Sequence, residues 1–77
     1  MKHNNFIMVN KAQDNIKNNL KKYRLAKGLT QEKLSELCNI SCDYISEIER
    51  GKRCPSMKRL DMIAEVLNVD SYLFLKP

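Results

Sequence analysis

The sequence predicts an all-α fold: five short helices over residues 14–77, behind an N-terminal arm over residues 1–13. Three observations lead there. Apolar residues recur at three- and four-residue spacing, as on one face of a helix. Helix stops and starts alternate along the chain: Gly28 then Thr30, Asn39 then Ser41, Gly51 then Ser56, Asn68 then Asp70. With two glycines, two prolines and few β-branched runs, the chain lacks the composition of strands joined by tight turns.

The arm reads MKHNNFIMVNKAQ. Its run Phe6-Ile7-Met8-Val9 leans toward strand; such a run must cover the chain's own core, pair with a partner chain such as its copy across a two-fold axis or lie exposed, and a disordered terminus accounts for the arm equally well. Asn10 and Gln13 fit a capping box for helix one, with Asp14 as the competing cap. Helix one then runs to about Lys27, with Ile16, Leu20 and Tyr23 on its buried stripe, and Gly28 supplies the left-handed stop. Thr30 caps helix two, where Glu32 sits in the first turn and complements the dipole. Its inward residues are Leu34, Leu37 and Cys38. Asn39 tolerates positive φ, and Ser41 caps helix three. There Ile45 and Ile48 face inward, and Gly51 ends the helix. Ser56 caps helix four, whose Leu60, Ile63, Ala64 and Leu67 fall at i, i+3, i+4, i+7. Asp70 is placed to cap a last short helix that buries Leu73 with Phe74 or Leu75.

Composition narrows the function. The 77 residues make one domain with a modest core. No run of about 18 apolar residues is present to span a membrane, and no apolar stretch fits a signal peptide; cytoplasmic residence is the default. Cys38, Cys42 and Cys54 match no disulfide scaffold and read as reduced thiols. With His3 the lone histidine, neither a metal site nor a bound cofactor is expected. No nucleophile–base spacing points to an enzyme, so no catalytic residue is assigned. The net charge is +5, and it is clustered. Lys17, Lys21, Lys22, Arg24 and Lys27 form one acid-free group; Arg50, Lys52, Arg53, Lys58 and Arg59 form another. Such clusters suit a polyanion, although a solvated face accounts for them equally well.

Helices two and three are short and only Asn39-Ile40-Ser41 separates them, the connection of a helix-turn-helix. Over Gly28–Val69, GLTQEKLSELCNIS-CDYISEIERGKRCPSMKRLDMIAEVLNV, the sequence resembles the lambda-repressor/Cro-like, or XRE, helix-turn-helix family. The LTQ-x-x-L opening, the I-S-x-I-E-R-G block and the Pro-Ser before helix four carry that resemblance together. It implies a transcriptional regulator, in the repressor mould, that binds double-stranded DNA as a homodimer with helix three in the major groove. It places Gln31 between a phosphate and the recognition helix. Ser41 and Cys42 stand at the start of that helix, and the base-facing positions fall on Cys42, Asp43, Tyr44 and Glu47, with Ser46 beside them. Arg50, Lys52 and Arg53 follow as phosphate contacts. The family pattern also pairs Glu49 with Arg24 as a structural salt bridge rather than a base contact.

The acids set this sequence apart. Arg–guanine is the commonest specific base contact, whereas a carboxylate accepts from cytosine N4 and repels phosphate. Asp43 and Glu47 therefore keep a second class of function in view: a protein-interaction module of the same fold, antitoxin-like or docking on another regulator, with weak DNA binding.

Overall fold

The computed structural model describes the backbone of residues 2–77 and the side chains of residues 11–77. Four α-helices follow in order: α1 (Lys2–Ala26), α2 (Gln31–Cys38), α3 (Cys42–Glu49) and α4 (Met57–Leu67). A 3-10 turn, Ser71–Leu75, ends the chain. Among the described residues there is no strand.

Each α-helix stops in the same way. A left-handed residue follows it: Gly28 (φ 71°), Asn39 (φ 54°), Gly51 (φ 74°) and Asn68 (φ 57°). The next amide reaches back five residues to a helix carbonyl: Leu29 to Arg24 (3.1 Å), Ile40 to Ser35 (3.1 Å), Lys52 to Glu47 (2.8 Å) and Val69 to Ala64 (3.0 Å). These are Schellman closures, which satisfy carbonyls that a helix end leaves without partners. At the other ends, the oxygens of Thr30, Ser41 and Ser56 accept from the amides of Lys33 (3.0 Å), Tyr44 (3.1 Å) and Arg59 (3.2 Å). Each such cap is worth about 1 kcal/mol.

Three expectations are corrected. Helix one does not start at Asp14 behind a strand-like arm. Its backbone is helical from Lys2, so Asn10 and Gln13 form no capping box. No glycine or proline interrupts residues 2–13, and extending an existing helix avoids the cost of a new nucleus. The side chains of Phe6–Val9, and thus what they cover, lie outside the described residues. The fifth helix is a 3-10 turn, because five residues close only i to i+3 bonds, Leu73 amide to Asp70 carbonyl (3.0 Å) and Lys76 to Leu73 (3.4 Å). The Asp70 side chain makes no cap there. Leu37 is 51% exposed rather than buried. The inward stripe of α2 is Leu34, Ser35 and Cys38, and Leu37 lies roughly 100° around the helix from its centre.

The core draws Ile16 and Leu20 from α1, Leu34 from α2, Ile45 and Ile48 from α3, and Leu60, Ile63 and Leu67 from α4. Phe74 closes it from the terminal turn, its ring edge-on to Tyr23 at 5.9 Å. Asn19 secures that turn by donating from Nδ2 toward the carbonyls of Leu73 (3.0 Å), Phe74 (2.9 Å) and Lys76 (2.7 Å), and Asn15 reaches Leu75 (3.1 Å). With the turn anchored on α1, the opposite side of the domain is left to α2 and α3.

Candidate nucleic-acid interface

The arrangement of α2 against α3 is set by one carboxylate. Glu49, at the end of α3, accepts from Arg24 through Nε (2.6 Å) and Nη2 (2.9 Å), and from Gln31 Nε2 at the start of α2 (3.0 Å). Arg24 spends its remaining arm, Nη1, on the carbonyl of Leu29 (2.7 Å). Helix α1, the loop after it, α2 and α3 thus converge on a single buried cluster, with the two charged side chains 8% and 3% exposed. The hydrogen bond to Glu49 raises the arginine's pKa above its ordinary value, so the cation is permanent. Gln31 is held by Glu49 rather than swinging in solvent. It fixes the first turn of α2 beside α3, with Thr30 already engaging the Lys33 amide.

The outward stripe of α3 is Asp43, Ser46, Glu47 and Arg50, at i, i+3, i+4 and i+7. Asp43 and Arg50 are exposed, and Cys42, Ser46 and Glu47 are half-buried. Ser41 is exposed, but its oxygen is engaged by the Tyr44 amide as the cap of α3. Lys52 and Arg53 are exposed on the loop that follows.

Tyr44 does not share that outward face. It is only 9% exposed, covered by two guanidinium groups, with Arg53 Cζ at 5.0 Å and Arg59 Cζ at 4.6 Å from its ring centre. Cation–π stacking gives the ring a task that sequence reading missed: it carries two cations instead of standing exposed. The same Arg53 donates from Nε to Glu47 Oε1 at 2.6 Å, and this bond raises the pKa of Arg53.

These two pairs explain why a basic chain carries an acidic helix here. Of the acids of α3 (Asp43, Glu47 and Glu49), the last two already hold arginines. Of these three acids only Asp43 faces outward without a cationic partner among the described residues.

Two contributors were not foreseen. Gln13 Nε2 donates to the Gly51 carbonyl at 3.1 Å. The Lys17 side chain lies alongside, its Cδ 3.1 Å from where a β-carbon on Gly51 would be. Both brace the exit of α3 against α1. Their signal was in the sequence, because Gln13, Lys17, Leu20 and Arg24 fall on one helical stripe (i, i+4, i+7, i+11).

Cys38 is buried, Cys42 half-buried and Cys54 exposed, all as free thiols. Burial pushes the Cys38 thiol pKa up. Among the described residues no group of three His, Cys, Asp or Glu side chains is placed to hold a metal ion, and no helix is long and apolar enough to cross a membrane.

Comparison with known proteins agrees with this architecture. Residues 20–74 match the helix-turn-helix family. The chain is 38% identical over 52 residues to YazB of Bacillus subtilis (strain 168), described as an uncharacterized HTH-type transcriptional regulator, covering 68% of this chain and 75% of YazB. Its fold superimposes on the hypothetical transcription factor NHTF from Neisseria with a TM-score of 0.82 at 27% identity, over 86% of this chain and 76% of that one. It also superimposes on SinR, a master regulator for biofilm formation solved in complex with DNA, with a TM-score of 0.76 at 32% identity, over 79% of this chain and 98% of SinR. The match runs from Leu20, in the last turns of α1, through α2, α3 and α4 to Phe74, and so includes both helices that Glu49 ties together. The chain therefore belongs to the helix-turn-helix family of lambda-repressor/Cro-like, XRE-type transcriptional regulators.

Proposed function

We propose that this chain is a sequence-specific repressor that binds double-stranded DNA as a homodimer in the cytoplasm, with α3 in the major groove. One observation carries this reading: Gln31 is pinned to Glu49, which fixes the first turn of α2 beside α3. A helix N-terminus with free amides suits a phosphate, and a recognition helix locked to it is delivered to the base edges in register. Asp43 and Ser46, with Cys42 beside them, then face the bases, while Glu47 on the same stripe accepts from Arg53. Arg50, Lys52 and Arg53 flank them toward the backbone. Repression by occupying an operator needs nothing beyond this surface. The SinR complex with DNA supports the reading by likeness.

The decisive measurement is anisotropy titration of random and selected duplexes over a range of salt. Each phosphate neutralised contributes about 0.9 to the slope of log K against log salt, so affinity should fall steeply, and Lys52→Ala should weaken both duplexes alike. A flat salt response would overturn the proposal. It would favour the protein-interaction module, the reading to which the exposed Asp43 carboxylate is better suited.

A further inference from the structure

The Arg53–Glu47 pair sits where a phosphate contact is wanted, yet its cation is already occupied. Arg53 Nε lies 2.6 Å from Glu47 Oε1, in the geometry a phosphate oxygen would take. Both side chains remain partly open to solvent, at 49% and 34% exposure. The ring of Tyr44 lies under the Arg53 guanidinium, and Arg59 covers the same ring independently.

We propose that Glu47 is an internal stand-in for phosphate, an autoinhibitory contact that DNA must displace before Arg53 can grip the backbone. The inference rests on the DNA-binding reading above and adds a brake to it. Three features make the hand-over feasible. Glu47 is exposed enough for water to solvate it once released. Arg53 can keep its stacking on Tyr44 while redirecting Nε–H, because that stacking is not directional toward either acceptor. Arg59 keeps the ring covered meanwhile. Glu49 meets none of these conditions, being buried with every partner fixed. The brake acts on a backbone contact, so it lowers affinity for every duplex by a similar factor.

The test compares wild type, Glu47→Gln and Glu47→Asp in anisotropy titrations against a random duplex and a selected one, with thermal melting to confirm equal folding. Removing an exposed pair's restraint should make Glu47→Gln bind both duplexes about two- to five-fold tighter. Glu47→Asp keeps the charge but draws the carboxylate back from Nε, and should move in the same direction. Binding equal to wild type by Glu47→Gln overturns the proposal while leaving DNA binding intact. So does a Glu47→Asp protein that behaves as wild type while Glu47→Gln binds tighter, because simple charge repulsion then accounts for everything. Selective loss of the chosen duplex in Glu47→Gln makes Glu47 a base reader and also overturns it. Failure of all three proteins to bind any duplex overturns the DNA-binding reading along with this one.

Discussion

Helix α3 has an inner and an outer arginine–glutamate pair, and both have an Nε–O separation of 2.6 Å. The inner pair, Arg24–Glu49, is 8% and 3% exposed and has further hydrogen bonds on both members. The outer pair, Arg53–Glu47, is 49% and 34% exposed. Identical distances therefore describe different interactions. Removing one member of a buried pair strands an uncompensated charge, whereas an exposed pair is screened by water and salt and contributes little to stability. The lesson is that distance identifies a partner, and burial decides whether the partner serves the fold or is free to be exchanged.

The largest expected effect breaks the inner pair. Glu49→Gln leaves the Arg24 cation buried without a counter-charge and should cost about 3 kcal/mol. Glu47→Gln should leave the urea midpoint unchanged. Equal midpoints for the two variants would mean that the burial difference has no energetic content.

A smaller effect sharpens the same contrast. Gln31→Ala removes the third donor to the inner carboxylate and should lower stability by about 1 kcal/mol. It should also weaken DNA binding, because the α2 N-terminus loses its tie to α3. A Gln31→Ala protein with wild-type DNA affinity would detach the inner cluster from recognition. Glu49→Gln should cost as much in 1 M salt as at low salt, since the buried site lies beyond effective screening, which at that concentration sets in over about 3 Å.

The smallest effect concerns a group on the inner side of the domain. Burial raises the folded pKa of Cys38 above 9.0, its ordinary value. Below pH 9.0 the thiol is protonated in both states and its contribution is fully present; as pH climbs toward the folded pKa, the unfolded chain ionises first and stability is lost. Cys38→Ala should flatten the alkaline limb of the stability curve relative to wild type, whatever it does to the plateau. In the native protein, exposed Cys54 should alkylate well before Cys38.

Much of the fold was legible because its signals are local. Thr30, Ser41 and Ser56 sit where caps are needed, and Gly28, Asn39, Gly51 and Asn68 sit where the backbone must turn left-handed. The stripe of α4 was read correctly because four of its residues share one face with nothing competing. Leu37 was misread because apolar spacing says which residues share a face of a short helix. It does not say how wide a strip its neighbours cover. The start of α1 was misread because the apolar, β-branched run at residues 6–9 has strand character locally, which an adjoining helix can override. At the candidate site the residue types and the Gln31, Arg24 and Glu49 positions were legible from the family pattern. The cover over Tyr44 was not, and of the bracing of Gly51 by Gln13 and Lys17 the sequence showed only the stripe they share with Arg24.

By itself, then, the sequence determined where the helices stop, which faces turn inward, the clustering of positive charge and the helix-turn-helix pattern. The first three depend on residues within about one helical turn of each other or on composition, and the last is a linear pattern along Gly28–Val69. The family pattern pairs Glu49 with Arg24; only the tertiary structure decided that Glu47 is paired too, with Arg53, and how open each pair lies to solvent. Glu47 and Glu49 are two residues apart, and their fates depend on what α1 and the loop after α3 bring to each side. Arg24 arrives across 25 residues of chain and Arg53 across six. The difference between a buried, permanent pair and an open, exchangeable one is a matter of solvent access, which no local pattern encodes.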